Sequence, residues 1–147
     1  MNIYSNNAID AASLIGETLA SVDYFPEERK NCGDTSEQFL LTTISGRQIV
    51  ITHIRDWGES VHVESTEGNW SEIVGKVIIN ANRRAVIIRR FNDGDEENKY
   101  DDRNEETYIT FLVNDATLVQ KWIGNSNGYY STDANLYEVE REREQST

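Results

Sequence analysis

The chain is poor in cysteine and proline. Its 147 residues include one cysteine, Cys32, and one proline, Pro26. A lone cysteine cannot form an internal disulfide, so we expect a cytosolic protein. The length suffices for one domain whose hydrophobic core needs neither disulfides nor a structural metal.

Long apolar stretches are also missing. No run approaches the roughly 20 apolar residues that a membrane-spanning helix requires. Residues 1–7 contain neither a basic segment nor an apolar run. We therefore expect no membrane association and no signal peptide.

Basic residues are scarce relative to acidic ones. The chain has 14 Lys and Arg residues against 26 Asp and Glu residues, for a net charge of −12. Direct binding to nucleic acid or to an anionic membrane is disfavoured, because it depends on cationic side chains. The charge is compatible with a basic protein partner, such as a nucleic-acid-handling enzyme whose cleft a carboxylate array could fill. The alternative interpretation is that the acidity only keeps the protein soluble.

Recognisable catalytic and metal-binding motifs are missing too. The sequence has no Gly-rich phosphate loop, no Gly-x-Ser-x-Gly turn and no Cys–His pairing near Cys32. We therefore expect a protein that is not an enzyme and that uses no cofactor. His53, Asp56, His62 and Glu64 form a thin set of metal ligands, so we expect hydrogen-bonded histidines rather than a metal site.

What the chain does have is an internal repeat. The segment Leu14–Glu17 is similar to Ile73–Lys76, which places Gly75 at an offset of 59 residues from Gly16. Function in a duplicated scaffold is expected where the two copies differ.

The downstream segments repeat at a larger offset. A predicted hairpin turn at Ser45-Gly46 corresponds to one at Asn114-Asp115, 69 residues later. The ten additional residues coincide with the acidic segment 93–106, which we interpret as an insertion in the second copy. We predict a single domain, made of half-repeats at about residues 8–66 and 67–140 and a frayed tail at residues 141–147.

The residue pattern predicts an α+β fold: mostly antiparallel β-sheet with two short helices, internally pseudo-duplicated. Residues 8–15 and 70–74 are predicted helices, each of which ends at a glycine. β-branched and alternating segments predict the strands. We expect strands at residues 17–25, 38–44, 48–55, 60–65, 76–80, 85–91, 107–113, 117–123, 129–131 and 136–139.

One loop follows the second strand of each predicted hairpin. The first loop is at residues 56–59, and the second is at residues 125–130. The second contains Asn127-Gly128, a strong signal for a tight turn between two strands. In the simpler interpretation this is only a turn, with one of the two following tyrosines in the core. In the functional interpretation the loops form a contact surface, because Tyr and Trp are enriched at binding hot spots. The predicted partner-binding residues of this surface are Asp56, Trp57, Glu59, Trp122, Asn127, Tyr129 and Tyr130.

The acidic insertion, residues 93–106, holds eight carboxylates against Lys99 and Arg103. It therefore contains half of the net charge. The simpler interpretation is a solvated loop. The functional interpretation is a carboxylate array that imitates a phosphate backbone, and it adds five predicted partner-binding residues: Asp95, Glu96, Glu97, Asp101 and Asp102.

Four arginines lie close together in this acidic chain, at Arg83-Arg84 and Arg89-Arg90. They are either surface ion-pair partners or part of an anion pocket, because arginine forks suit phosphate groups. An alternative anion-binding site would use Arg84, Arg89 and Arg90, with the aromatic residues Trp57, Trp122 and Tyr129. Its function would be to sequester a small anionic ligand, such as a nucleotide defence signal.

Two motifs carry a resemblance to a known family. The segments His53–Val61 (His-Ile-Arg-Asp-Trp-Gly-Glu-Ser-Val) and Trp122–Ser131 (Trp-Ile-Gly-Asn-Ser-Asn-Gly-Tyr-Tyr-Ser) resemble a family of short, uncharacterised proteins encoded mainly by bacteriophages. The resemblance extends over most of the chain and includes the Leu-Ile-Gly and Val-Gly starts at Gly16 and Gly75. It implies a viral origin and a role in the host cytoplasm, in host takeover or counter-defence.

The leading interpretation combines these observations. We expect a phage-type accessory protein that binds and inhibits a basic host protein, such as a nucleic-acid-handling or defence enzyme, by imitating nucleic acid. The alternative remains a non-enzymatic protein that sequesters a small anionic ligand.

Overall fold

The structure, a computed structural model, describes residues 8–27, 35–55, 59–89, 103–126 and 131–140. Nine strands account for most of this part of the chain, and all their pairings are antiparallel. The strands are β1 (Ala8–Ile9), β2 (Leu19–Phe25), β3 (Gln38–Thr43), β4 (Gln48–Thr52), β5 (Ser60–Glu67), β6 (Asn80–Arg89), β7 (Arg103–Leu112), β8 (Thr117–Ser126) and β9 (Asn135–Glu138).

The strands form two sheets that pack as a β-sandwich. Sheet 1 has the strand order β1-β9-β4-β3-β2, and sheet 2 has the order β5-β8-β7-β6. Alternate residues of β7 and β8 are buried, as expected for strands with one face toward a core. The core combines Leu41, Ile49 and Ile51 of sheet 1 with Phe111 and Trp122 of sheet 2.

The predicted α+β class is wrong, although the prediction of mostly antiparallel sheet is confirmed. In the described residues the two predicted helices are a 3-10 turn, Ala11–Leu14, and a single helical turn, Trp70–Ile73. Gly16 and Gly75 follow them with φ values of 90° and 87°, a left-handed conformation that ends a helix. Segments of four residues are far below the length at which a helix is stable by itself, so they cannot form a helical layer.

The two helical turns are joined by a reciprocal pair of hydrogen bonds. The Gly16 N–H donates to the Ile78 carbonyl at 2.8 Å, and the Gly75 N–H donates to the Leu19 carbonyl at 2.9 Å. Thr18 and Val77 form an antiparallel bridge between the same segments. All three relationships keep the offset of 59 residues, so the local arrangement here has approximate twofold symmetry. The broader equivalence of residues 8–66 and 67–140 stays a prediction.

The last strand of each predicted half belongs to the sheet of the other half. β5 follows β4 in sequence but pairs with β8, and β9 follows β8 but pairs with β4. The connection from β4 to β5 and the connection from β8 to β9 therefore each cross from one sheet to the other, at the same end of the sandwich. Within the described residues, no helix is long and apolar enough to span a bilayer.

Candidate functional site

The strand residues that flank the two predicted contact loops pair with one another. Ser60 pairs with Asn125 at the start of β5, and Thr52 pairs with Asn135 at the end of β4. The described residues that flank the two loops therefore lie at one end of the sandwich. Asp56, Trp57, Asn127, Tyr129 and Tyr130 themselves lie outside the described residues.

His53 and Glu59, the first and last residues of the connection from β4 to β5, form a buried pair. The two residues are each 2% exposed. His53 Nδ1 lies 2.7 Å from the Asp133 carbonyl oxygen, which can only accept, so Nδ1 carries a proton and donates. His53 Nε2 lies 3.2 Å from Glu59 Oε2, and a proton lies between these two atoms. Glu59 is thus part of an internal network and is not available at the surface.

Residues 131–134, which lead into β9, are held by side chains from sheet 2. Thr132 Oγ1 donates to Glu105 Oε1 at 2.9 Å, and the Ala134 N–H donates to Thr107 Oγ1 at 3.2 Å. Arg83 Nε donates to the Ala134 carbonyl at 2.7 Å, and Arg83 also forms an ion pair with Asp133. These contacts attach the crossing connection to sheet 2, which explains the buried polar residues here.

Trp122, predicted as a surface anchor, is fully buried. Its Nε1 donates to Gln120 Oε1 at 2.7 Å, and its ring meets that of Phe39 edge-on with centroids 6.0 Å apart. Trp122 therefore stabilises the core between the sheets and cannot contact a partner at the surface.

The remaining predicted residues are distributed as follows. The acidic residues Asp95, Glu96, Glu97, Asp101 and Asp102 lie outside the described residues, as does Arg90. Arg89 is the last residue of β6. Arg84 is exposed and lies on the face of sheet 2 that points away from the core, opposite to buried Trp122. The predicted pocket that combines Arg84 with Trp122 is therefore not formed.

The outward face of sheet 2, which we call the open face, is a broad accessible surface of the described fold. None of its described side chains is buried, whereas Val50 on the outward side of sheet 1 is completely buried. The strand registers arrange these side chains in rows across four strands. The central rows are Ser60–Asn125–Asn104–Ile88, His62–Ile123–Glu106–Val86, Ser65–Lys121–Tyr108–Arg84 and Glu67–Val119–Thr110–Asn82.

Tyr108 is at the centre of the open face and lies between two cations. The Arg84 guanidinium carbon is 5.0 Å from the ring centroid, and Lys121 Nζ is 5.9 Å from it. The Tyr108 hydroxyl donates to Glu106, and this hydrogen bond is the main reason that the pKa of Tyr108 is raised. Lys121 Nζ lies 3.0 Å from Glu64 Oε2 and 3.8 Å from Glu106 Oε1. The pKa of Lys121 is raised, chiefly by its hydrogen bond to Glu64.

Two depressions open on this face. The first, which we call the amide pocket, has a volume of about 340 Å³. Its lining includes Ser60, Asn104, Asn125, Ile88 and Ile123, together with His62, Glu64, Glu106 and Lys121. The second has a volume of about 580 Å³ and is lined by Asn82, Arg83, Arg84, Tyr108, Thr110 and Val119.

Most cationic side chains in the described part of the chain are neutralised by a neighbouring carboxylate. Arg47 pairs with Glu138 and Glu17, Lys76 with Asp115, and Lys121 with Glu64. Arg55 and Arg83 are paired in the same way, with Glu27 and Asp133. Among the cationic side chains that the structure describes, only Arg84 lacks such a partner, and it lies against Tyr108.

The sequence reasoning missed the main residues of the open face. Asn104, Glu106 and Tyr108 alternate along β7, and Lys121, Ile123 and Asn125 alternate along β8. This period of two was a usable signal, because alternate residues of a strand share a face. The pairing of β7 with β8, which brings the two series together, requires the structure.

One comparison with known proteins gives a match. Residues 7–136 match the model of a family described as a domain of unknown function, DUF7448. The chain belongs to this family. The match extends over most of the chain, and its description assigns no activity. No curated protein and no solved structure matches the chain.

Proposed function

We propose that this DUF7448 protein is a non-enzymatic, phage-type binding protein that occupies a basic surface of a host protein in the host cytoplasm. A nucleic-acid-handling or defence enzyme would be such a partner, because its cleft is built to accept phosphate groups. Binding there would exclude the natural substrate and inhibit the enzyme.

The pairing of cations with carboxylates is the observation that supports this proposal best. The chain has a net charge of −12, and the ion pairs leave few cations to form a separate basic surface in the described part of the chain. The net field of the protein is therefore negative. Such a field accelerates encounters with a basic partner and disfavours acidic ones.

The open face supplies the short-range contacts that a stable complex needs. Tyr108 and Arg84 belong to the residue types that most often dominate binding energy at interfaces. Val86 and Ile88 are 38% and 40% exposed beside them, so apolar area is available for burial. We therefore propose the open face as the contact surface, with the acidic residues that precede β7, Asp95, Glu96, Glu97, Asp101 and Asp102, as contributors to electrostatic attraction.

A capture experiment tests the proposal. The immobilised protein is exposed to host lysate, and the affinity of each retained protein is then measured from low to high salt. We expect a basic partner whose binding weakens with salt, because screening shortens the reach of charge to about 10 Å at 0.1 M. Changing Asp95, Glu96, Glu97, Asp101 and Asp102 to Asn or Gln should weaken binding and reduce the salt dependence.

A matched pair of variants tests the surface. Tyr108→Ser removes the central tyrosine of the open face, and Tyr24→Ser removes an exposed tyrosine of sheet 1 that also donates to a glutamate, Glu37. We expect a loss of roughly tenfold or more in affinity for Tyr108→Ser and little change for Tyr24→Ser. Equal effects of the two variants would reject the open face as the contact surface.

A second candidate function is supported by Arg84. This exposed arginine has no carboxylate partner among the described residues and lines the depression of about 580 Å³. An anionic ligand there would receive the guanidinium fork, with Tyr108 beside it. The test is to incubate the protein with nucleotide extracts, denature it and analyse what it releases. A released anion that Arg84→Gln abolishes would favour this function over capture of a basic protein.

A further inference from the structure

We infer that the amide pocket binds the guanidinium group of an arginine on the basic partner. In the free protein, Lys121 already occupies part of the position that this cation takes. The inference rests on the proposed function, because it specifies which group of a basic protein is recognised on the open face.

The size of the pocket suits one long side chain. Its volume of about 340 Å³ is at the lower end of the range of about 300–1,000 Å³ for pockets that hold whole small molecules. It opens on a sheet face rather than inside the core, so a side chain from another protein can reach it without rearrangement of the sandwich.

The charges of the pocket leave room for one more cation. Glu64, Glu105 and Glu106 line it together with Lys121, so the four groups have a formal net charge of −2. Lys121 Nζ lies within 4 Å of the Glu64 and Glu106 carboxylates, which shows that these two are spaced to share a cation. One incoming guanidinium would reduce the formal charge of the pocket to −1, whereas a phosphate would increase the repulsion.

The amide groups provide acceptors that are not used within the described fold. Asn104 and Asn125 are directly opposite one another on β7 and β8, and Ser60 is opposite Asn125 on β5. Hydrogen bonds from these three side chains to other described residues are absent. Their oxygens can accept from a guanidinium, which presents five N–H donors in one plane. A lysine ammonium has fewer donors and would satisfy this row less completely.

Two isoleucines, on either side of β7, give the pocket apolar walls. Ile88 of β6 is 40% exposed, and Ile123 of β8 is partly buried. The aliphatic part of an arginine side chain can pack along such a wall while its charged end reaches the carboxylates. A neutral polyol would satisfy the amides but would leave the charge of the pocket uncompensated.

The test uses a short peptide, acetyl-Gly-Arg-Gly-amide, titrated into the isotope-labelled full-length protein. NMR signals of the Asn104 and Asn125 side-chain amides report binding at the pocket. The matched probe replaces arginine with citrulline, which has nearly the same shape without the charge. We expect binding at least roughly tenfold weaker for the citrulline peptide, because charge-assisted hydrogen bonds are stronger than neutral ones.

Three variants separate the role of the pocket from general electrostatics. Glu64→Gln should weaken binding of the arginine peptide about threefold or more, and Glu67→Gln, on the same strand but outside the pocket lining, should change it less than about twofold. Lys121→Met removes the resident cation and should tighten binding by about threefold or more. The folded state of each variant is checked by its near-UV circular dichroism.

Several outcomes would overturn the inference. Equal binding of the arginine and citrulline peptides would exclude charge recognition, and a response of the Asn104 and Asn125 amides to maltose alone would assign the pocket to neutral polyols. Weaker binding by Lys121→Met would show that Lys121 does not compete with the ligand. Because these titrations need no host protein, peptide binding without any captured partner would contradict only the proposed function. A captured partner without peptide binding would contradict only the pocket.

Discussion

Gly16 and Gly75 have nearly the same backbone conformation and are linked to each other's segment by hydrogen bonds. Their φ values are 90° and 87°, and each N–H donates to the carbonyl of the residue three positions beyond the other glycine. No atom lies within 4 Å of a Cβ built at either position. The glycines are therefore required by backbone conformation and not by lack of space.

The first prediction concerns these two positions. Gly16→Ala and Gly75→Ala should each lower the free energy of unfolding by about 1–2 kcal/mol, because a residue with a Cβ is strained in the left-handed region. Gly16→Asn should cost less, since asparagine tolerates this region better than alanine. Urea denaturation of the purified variants measures the changes. A cost at one glycine but not at the other would contradict the local symmetry.

The second prediction concerns a glycine that is required for lack of space. A Cβ at Gly124 would lie 2.0 Å from the Thr132 carbonyl oxygen, which belongs to the backbone of the crossing connection. Gly124→Ala should therefore cost about 3 kcal/mol, at the upper end of typical overpacking effects. Thermal unfolding of Gly124→Ala and of Gly16→Ala compares the cost of a steric clash with the cost of backbone strain. A smaller loss for Gly124→Ala than for Gly16→Ala would show that residues 131–134 can move away from β8.

The strands were predictable where the signal was local. The alternation in β8 and the β-branched run Gln48–Thr52 predict sheet without knowledge of the partner strand. The fold class was not predictable from the sequence, because one helical turn and a full helix have similar local signals when the turn ends at a glycine. The exchange of β5 and β9 between the sheets depends on contacts far apart in sequence, and no local pattern contains that information.

The candidate site was predictable only in part, for reasons that particular residues show. The frequency of tryptophan at interfaces predicts a surface position for Trp122. Trp122 directly follows Lys121 on β8, however, and neighbouring residues of a strand lie on opposite faces of the sheet. The burial of Glu59 depends on His53 and on the Asp133 carbonyl, which only the crossing connections bring close. The place of Tyr108 in the site depends on Arg84 and Lys121, which lie opposite it on the two neighbouring strands.

The third prediction concerns the buried pair. His53→Ala should lower the free energy of unfolding by about 2–4 kcal/mol, because it leaves a cavity and unpaired polar groups beside Glu59. Glu59→Gln should cost much less than His53→Ala, since a glutamine amide can donate to His53 Nε2. The exposed histidine gives the control: His62→Ala should change stability by less than about 0.5 kcal/mol. Similar losses for both histidine variants would contradict the network described here.

The fourth prediction concerns the pH dependence of stability at the ion pair of Arg47 and Glu138. Arg47 Nη2 and Nε lie 2.8 Å and 3.1 Å from the two Glu138 carboxylate oxygens. The hydrogen bond from Arg47 is the main reason that the pKa of Glu138 is lowered from its ordinary value of 4.5. The folded protein therefore holds the Glu138 proton less strongly than the unfolded chain does.

The sign of the effect follows from this difference. The contribution of Glu138 is complete above pH 4.5, the ordinary value, and is lost as the pH falls through the lower folded-state pKa. Glu138→Gln should lower the free energy of unfolding at pH 7 by up to about 1 kcal/mol, because the pair is partly solvent-exposed. Urea denaturation repeated from pH 7 down to about pH 3 measures the free energy of unfolding at each pH. The values of the wild type and the variant should converge in acid. The neighbouring exposed Glu140→Gln is the control and should follow the wild type throughout. A gap for Glu138→Gln that stays constant into acid would mean that side-chain packing, and not the charge of this ion pair, stabilises β9 against β4.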